Sequence, residues 1–222
     1  MREHLFFVMG RVIIRTIFER GGNMKEQILF ILVEPFADWE AAYLSSLLMA
    51  IGGSRYEVKT VSLSKDPIKS LGGFTIVPDY RIEELPEDFS GVILIGGMSW
   101  RTEAAKKVAA LVSQALKEQK ILGAICDATV FLGAQGVLNT VSHTSNDLED
   151  LQGWAGALYT GENLYQKEPA VRDGRIITAN GTAALEFARE VLLALEAGSE
   201  EQIAEWYAFH KKGLYEAPFP KG

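Results

Sequence analysis

The residue best placed for covalent chemistry is Cys126, the only cysteine among 222 residues. It lies in KILGAICDATVFLGAQGVLN, Lys120 to Asn139, where the apolar run Ile121 to Ile125 meets a segment that reads as helix, Asp127 to Gln135. A nucleophile at a strand-to-helix joint sits on a sharp turn that tolerates only small residues two positions to either side. Those positions hold Ala124 and Ala128. The helix that follows points its unsatisfied N–H groups and the positive end of its dipole at the sulfur, which favours thiolate over thiol. A thiolate attacks carbonyl carbon, and it also oxidises readily. Free cysteine is equally among the most buried residue types, so an inert, packed thiol fits the same stretch.

The elements that must position this residue follow from the periodicity. Gln27 to Val33 and Gly91 to Ile95 are continuous apolar runs of the kind a parallel strand buried on both faces needs, as is Ile121 to Ile125. Asp38 is a good N-cap for a helix over Trp39 to Ile51 that stops at Gly52-Gly53. Tyr56 to Ser62 alternates like a strand, and residues 63 to 87, rich in Pro and Gly, read as short extended pieces and turns. Thr102 to Glu118 reads as one helix, and Thr140 to Glu168 as a less regular region. Asp173-Gly174 marks a hairpin between Ala170–Arg172 and Arg175–Ala179, followed by helices over Ala183 to Leu195 and Glu200 to Lys212. The order β, α, β, β, α, β, α with short links predicts an α/β fold built on a doubly wound, mostly parallel sheet. In such sheets ligands bind beyond the carboxyl ends of the strands, where Glu34, Gly96 and Cys126 fall.

Composition narrows the functional classes. A net charge of −7 with no basic stripe argues against a nucleic-acid partner. One cysteine rules out an internal disulfide, which fits a cytoplasmic location, and with only three histidines a metal site is not expected. No cofactor is expected either. Residues 1 to 23 stand apart, with four arginines and two acids, but Arg11 and Arg15 cut their apolar run too short for a membrane span or a signal peptide. Glu19-Arg20-Gly21-Gly22-Asn23 before Met24 is encodable as a purine-rich ribosome-binding site, so the expected natural start is Met24. The other reading is an amphipathic N-terminal helix. Residues 24 to 222 are expected to form one domain.

Four landmarks in this order, ILFILVEPFADWEAAYL, LIGGMSW, GAICDAT and DGRIITANGTAALEFA, together resemble the DJ/PfpI superfamily, whose topology is like that of class I glutamine amidotransferases. The resemblance covers about Lys25 to Leu195. It implies a flavodoxin-like three-layer α/β/α sandwich, a homodimer, and a reactive cysteine at a nucleophile elbow. Cys126 matches the family's nucleophile and Glu40 the glutamate that faces it from the first helix. A protonated Glu40 would donate a hydrogen bond to the thiolate, so the two should titrate together. Acids in a helix first turn are also favoured by the dipole alone. The backbone N–H groups of Gly97 and Asp127 match the two donors of an oxyanion hole, although a Gly-Gly pair also simply ends strands.

The departures bear on activity. Protease-like members carry histidine directly after the cysteine, where this chain has Asp127. His143 matches a histidine near the pocket of the deglycase branch and is the remaining candidate for a base or proton relay; a structural role is its bland alternative, as it is for His210. Asn180-Gly181-Thr182 stands where the amidotransferase branch completes its triad with histidine, so a glutaminase is not expected. The resemblance implies a cysteine-dependent hydrolase, amidase or glyoxalase/deglycase acting on a small carbonyl or amide. The alternatives are a redox-sensing, stress-response protein with an oxidisable Cys126 and a small-molecule binding module with an inert one.

Overall fold

The structure, a computed structural model, describes residues 25–221, and the readings made of residues 1 to 23 lie outside it. Its elements in chain order are β1 (Glu26–Leu32), α1 (Asp38–Ile51), β2 (Tyr56–Ser62), β3 (Ile68–Lys69), β4 (Thr75–Ile76), β5 (Tyr80–Arg81), β6 (Gly91–Ile95), α2 (Ala109–Lys117), β7 (Ile121–Ile125), α3 (Asp127–Ala134), α4 (Leu148–Ala155), β8 (Ala170–Asp173), β9 (Ile176–Ala179), α5 (Ala184–Ala194) and α6 (Glu200–Lys212). Seven strands form one sheet in the order β5-β2-β1-β6-β7-β9-β8, parallel throughout except at the β8–β9 hairpin, while β3 and β4 pair antiparallel on their own.

The apolar runs are continuous because both faces of the sheet are covered. Along β1, Ile28, Phe30 and Leu32 enter the layer beneath α1 and α5, whereas Leu29, Ile31 and the following Val33 enter the layer beneath α2 and α3. The result is an α/β/α sandwich, as the landmarks implied. In the middle of β7, Gly123 leaves room for Phe187 of α5: a Cβ there would lie 2.9 Å from the end of the Phe187 ring. That close approach brings α5 down onto the strand that carries Cys126.

Three local readings are corrected. Asp38 is not the N-cap: Ala37 takes the extended boundary conformation, and no side chain caps the helix. The Ala37 N–H is held by Gly96 O at 2.9 Å, which sets Asp38 one residue into α1, and its carboxylate accepts instead from the Gly72 N–H at 2.7 Å. The predicted helix from Thr102 opens as a 3₁₀ turn, Ala104–Val108, before α2. The region from Thr140 contains a true helix, α4, capped by Asp147, whose side chain accepts from the Asp150 N–H at 2.9 Å. The signal was present in Asp147 followed by Glu149 and Asp150, an N-cap with first-turn acids.

Phe187 is fully buried, so Phe187→Ala should cost about 3–5 kcal/mol of stability. Urea unfolding of the two proteins measures this, and a loss under 1 kcal/mol would mean that α5 does not need the Gly123 contact.

Candidate active site

The sheet order reverses between β1 and β6: the chain moves outward from β1 to β2 on one side and from β6 to β7 on the other. The crevice beyond the carboxyl ends at such a reversal is the ligand site of open α/β sheets. Glu40 enters it from α1, Gly96 and Gly97 from the turn after β6, and Cys126 from the joint between β7 and α3.

Cys126 has φ 60° and ψ −132°, a conformation L-residues rarely adopt and one that costs about 1–3 kcal/mol. It is held from both sides. Its N–H donates to Ala179 O at 2.9 Å, and its carbonyl accepts from the Thr129 N–H at 3.0 Å and the Thr129 hydroxyl at 2.6 Å. Ala124 and Ala128 are both fully buried, as the elbow requires.

Glu40 is completely buried. Its Oε2 accepts the Gly96 N–H at 2.7 Å, while Oε1 has no hydrogen-bond partner of its own and lies towards Cys126. Gly181 closes over the pair: a Cβ there would sit 2.9 Å from the sulfur and 3.2 Å from Glu40 Oε1. A Cβ on Gly96 would overlap Glu40 Oε2 and come within 2.5 Å of the Cys126 Cβ. The two side chains meet because their neighbours have none.

Burial raises both acids. It pushes the Glu40 carboxyl up to about 7, against the pull of the thiol and the Gly96 N–H and with a small push from the Asp127 charge. It pushes the Cys126 thiol up to about 11, against the pull of Asn146, with the Glu40 charge adding to the rise. The direction is opposite to the one expected from the helix end alone, because desolvation of the sulfur outweighs the Asp127 N–H that favours its anion. Between about pH 7 and about pH 11 the pair therefore holds one proton, which rests on the sulfur, the weaker acid, beside an ionised Glu40.

Asn146 was not picked out from the sequence. Its Nδ2 donates to Sγ at 3.3 Å, and its Oδ1 accepts the Gly181 N–H at 2.8 Å, an arrangement that fixes which way the amide faces. Its only signal was its place in the turn-rich run after His143. Trp39 Nε1 donates to Gly181 O at 3.0 Å and braces the same loop from α1. Among the described residues, neither the Gly97 N–H nor the Asp127 N–H has a backbone acceptor. The Asp127 carboxylate is turned away into a pair with Arg101.

His143 is not brought to the sulfur. Its Nδ1 lies 2.8 Å from Val141 O, a pure acceptor, so Nδ1 carries the hydrogen and Nε2 accepts from the Tyr159 hydroxyl at 2.7 Å. Burial lowers its pKa, and it packs edge-on against Tyr159 and Tyr165. A neutral ring with both nitrogens engaged has no lone pair free for a base. His210 stacks on Trp206 of α6 and meets Tyr43 edge-on.

Residues 26–194 match the family model described as the DJ-1/PfpI family. A Bacillus subtilis (strain 168) protein named as the uncharacterized protease YoaZ is 36% identical over 184 residues, 79% of this chain and 86% of its own. The glutathione-independent glyoxalase DJR-1.2 of Caenorhabditis elegans is 26% identical over 136 residues, covering 60% of this chain and 70% of its own. Among solved structures, the DJ-1 superfamily protein Atu0886 from Agrobacterium tumefaciens superposes with a TM-score of 0.76 at 33% identity, over 84% of this chain and 98% of that one. The strained cysteine elbow, the facing glutamate and the matched length agree: the chain belongs to the DJ-1/PfpI family.

Proposed function

We propose that the protein is a cysteine-dependent enzyme acting on small carbonyl compounds, with Cys126 as nucleophile and Glu40 as its proton partner. The observation that carries this reading is a completely buried carboxyl, its Oε1 unpartnered, facing a half-buried cysteine sulfur on a strained elbow. Transfer of the thiol proton to Glu40 Oε1 leaves a sulfur anion that accepts from Asn146 Nδ2, and its addition to a carbonyl carbon forms a C–S bond as the C=O π pair moves to oxygen. The N–H groups of Gly97 and Asp127, which have no backbone acceptor among the described residues, receive that oxyanion, and the Glu40 proton neutralises it. Return of the proton to Glu40 and of the C–S pair to sulfur reverses the addition; turnover of a dicarbonyl requires in addition a proton moved from the carbinol carbon to the neighbouring carbonyl carbon, and water that cleaves the resulting thioester and frees the thiol.

Addition to an aldehyde or ketone needs only this one proton. Amide cleavage needs a second transfer, to the leaving nitrogen, and His143 is engaged elsewhere. The arrangement therefore favours addition to a small aldehyde or ketone, the opening step of a glyoxalase- or deglycase-type activity, over protease or amidase chemistry. Relatives named both as protease and as glyoxalase accord with the wider class.

Methylglyoxal consumption, followed beside hydrolysis of small amides, is the direct test. Cys126→Ala should abolish the first, and Glu40→Gln should lower it by about 10²-fold or more; equal rates in the parent and Cys126→Ala would remove Cys126 from the reaction.

The buried Glu40 carboxyl also predicts a stability profile. Glu40 binds its proton more tightly folded than unfolded, so its contribution is fully present below pH 4.5 and is lost as pH rises through about 7. Glu40→Gln keeps the acceptor for Gly96 and removes the titration. Across that range stability should shift in favour of the variant by about 3 kcal/mol relative to the parent. Denaturant melts at several pH values measure this, and parallel curves would mean Glu40 ionises normally.

A further inference from the structure

The pair described above is served by two segments: the turn after β6, which presents Gly97, and the elbow, which presents Asp127. A third contact joins them. Arg101 Nε donates to Asp127 Oδ1 and Oδ2 at 2.9 and 3.1 Å, and Nη2 donates to Asp127 Oδ1 at 2.5 Å. The other side of the guanidinium takes Asp150 of α4, through Nη1 at 2.9 Å and Nη2 at 2.5 Å. The Trp154 ring lies against it, 5.4 Å from the guanidinium carbon.

The turn that carries Arg101 is itself anchored. The buried Trp100 donates from Nε1 to Ile95 O at 2.7 Å, and Ala37 and Met98 bond to Gly96 O and Pro35 O. Arg101 thus reaches out from a fixed base to the first residue of α3. The Asp127 side chain is 14% exposed and the Asp150 side chain 42%, so the carboxylate nearer the reacting pair is the better sheltered. A charge in that position is poorly screened by solvent.

We propose that Arg101 is a positioning residue: from its base on the Gly97 turn its fork turns the Asp127 carboxylate aside and cancels its charge beside the Cys126–Glu40 pair. The family's protease-like members have a histidine after the cysteine; in this chain an aspartate at that place is made compatible with a sulfur anion by its own cation. The charges that act on the pair are few. α1 supplies Glu40 and α3 supplies Asp127; the loop before α4 supplies the uncharged Asn146 at the sulfur, with His143 bonded to Val141 O and Tyr159 and Asp147 capping α4, and the Gly181 loop supplies no ionisable side chain. Arg101 is saturated by two carboxylates, so it serves the pair through Asp127 and is not a receptor for an anionic substrate.

The proposal rests on Cys126 being the reacting atom, and its test reads that atom directly. The rate of alkylation by iodoacetamide, an uncharged probe, is measured against pH for the parent, Arg101→Met, Asp127→Asn and Arg101→Met/Asp127→Asn. Arg101→Met should move the inflection upward by about one pH unit and slow alkylation below it by about tenfold, because an unpaired carboxylate opposes the sulfur anion. Asp127→Asn in that background should bring the inflection back to within about half a unit of the parent. A merely structural loss would add to the defect instead. Asp127→Asn alone, which leaves the cation unopposed, should not raise the inflection, and this holds the test open where Arg101→Met fails to fold. An unshifted Arg101→Met profile, a double variant shifted as far as Arg101→Met, or an upward shift in Asp127→Asn overturns the role of Arg101 while leaving Cys126 reactive. A parent thiol that resists alkylation even as the pH rises through about 11 overturns the reactive cysteine as well.

Discussion

A buried carboxyl and a half-buried thiol in contact resist being charged together, and the site is built on that constraint. Burial would cost either Glu40 or Cys126 dearly as an isolated anion. A single negative charge on the pair, whether on the carboxyl or on the sulfur, is met by the Gly96 N–H on the oxygen side and the Asn146 amide on the sulfur side. Each surrounding feature serves the contact. Gly96 and Gly181 have no side chains to hold the two apart, and the positive φ of Cys126 turns its sulfur out of the strand direction. The strain at Cys126 persists because β9, α3 and the hydroxyl of Thr129 all hold its peptide groups.

The polar residues around the pair divide the work differently from their sequence positions. His143, the residue type most suited to proton transfer, is spent on architecture: neutral, buried and bonded at both nitrogens, it ties the segment after α3 to Tyr159 and, through its backbone, to Leu164 and Gln166. Asp127, which in isolation would oppose a sulfur anion, is turned aside into a bidentate pair. Asn146, a residue with no charge, stands against the sulfur. An uncharged donor suits that place, since it stabilises the thiolate without bringing a second titration into the crevice.

The fold was largely legible. The buried strands, the hairpin at Asp173-Gly174 and the helices over α1, α3, α5 and α6 follow from apolar periodicity and turn chemistry, which are local properties of the chain. α4 escaped notice because a two-turn helix offers too few apolar repeats to stand out from its turn-rich flanks. The cap of α1 was misplaced because a tertiary bond, Ala37 to Gly96, decided where the helix begins.

By itself the sequence determined which strands are buried, where the chain turns, and that a lone cysteine lies at a strand-to-helix joint with small residues around it. Only the tertiary structure decided the burial of the sulfur, the partners of both His143 nitrogens, and the contacts of Asn146 and Arg101. The physical reason is that desolvation and hydrogen-bond partners depend on groups far apart in the chain: Glu40 and Gly96, Asn146 and Gly181, and Arg101 and Asp127 are brought together by the sheet, and no local pattern records the pairing.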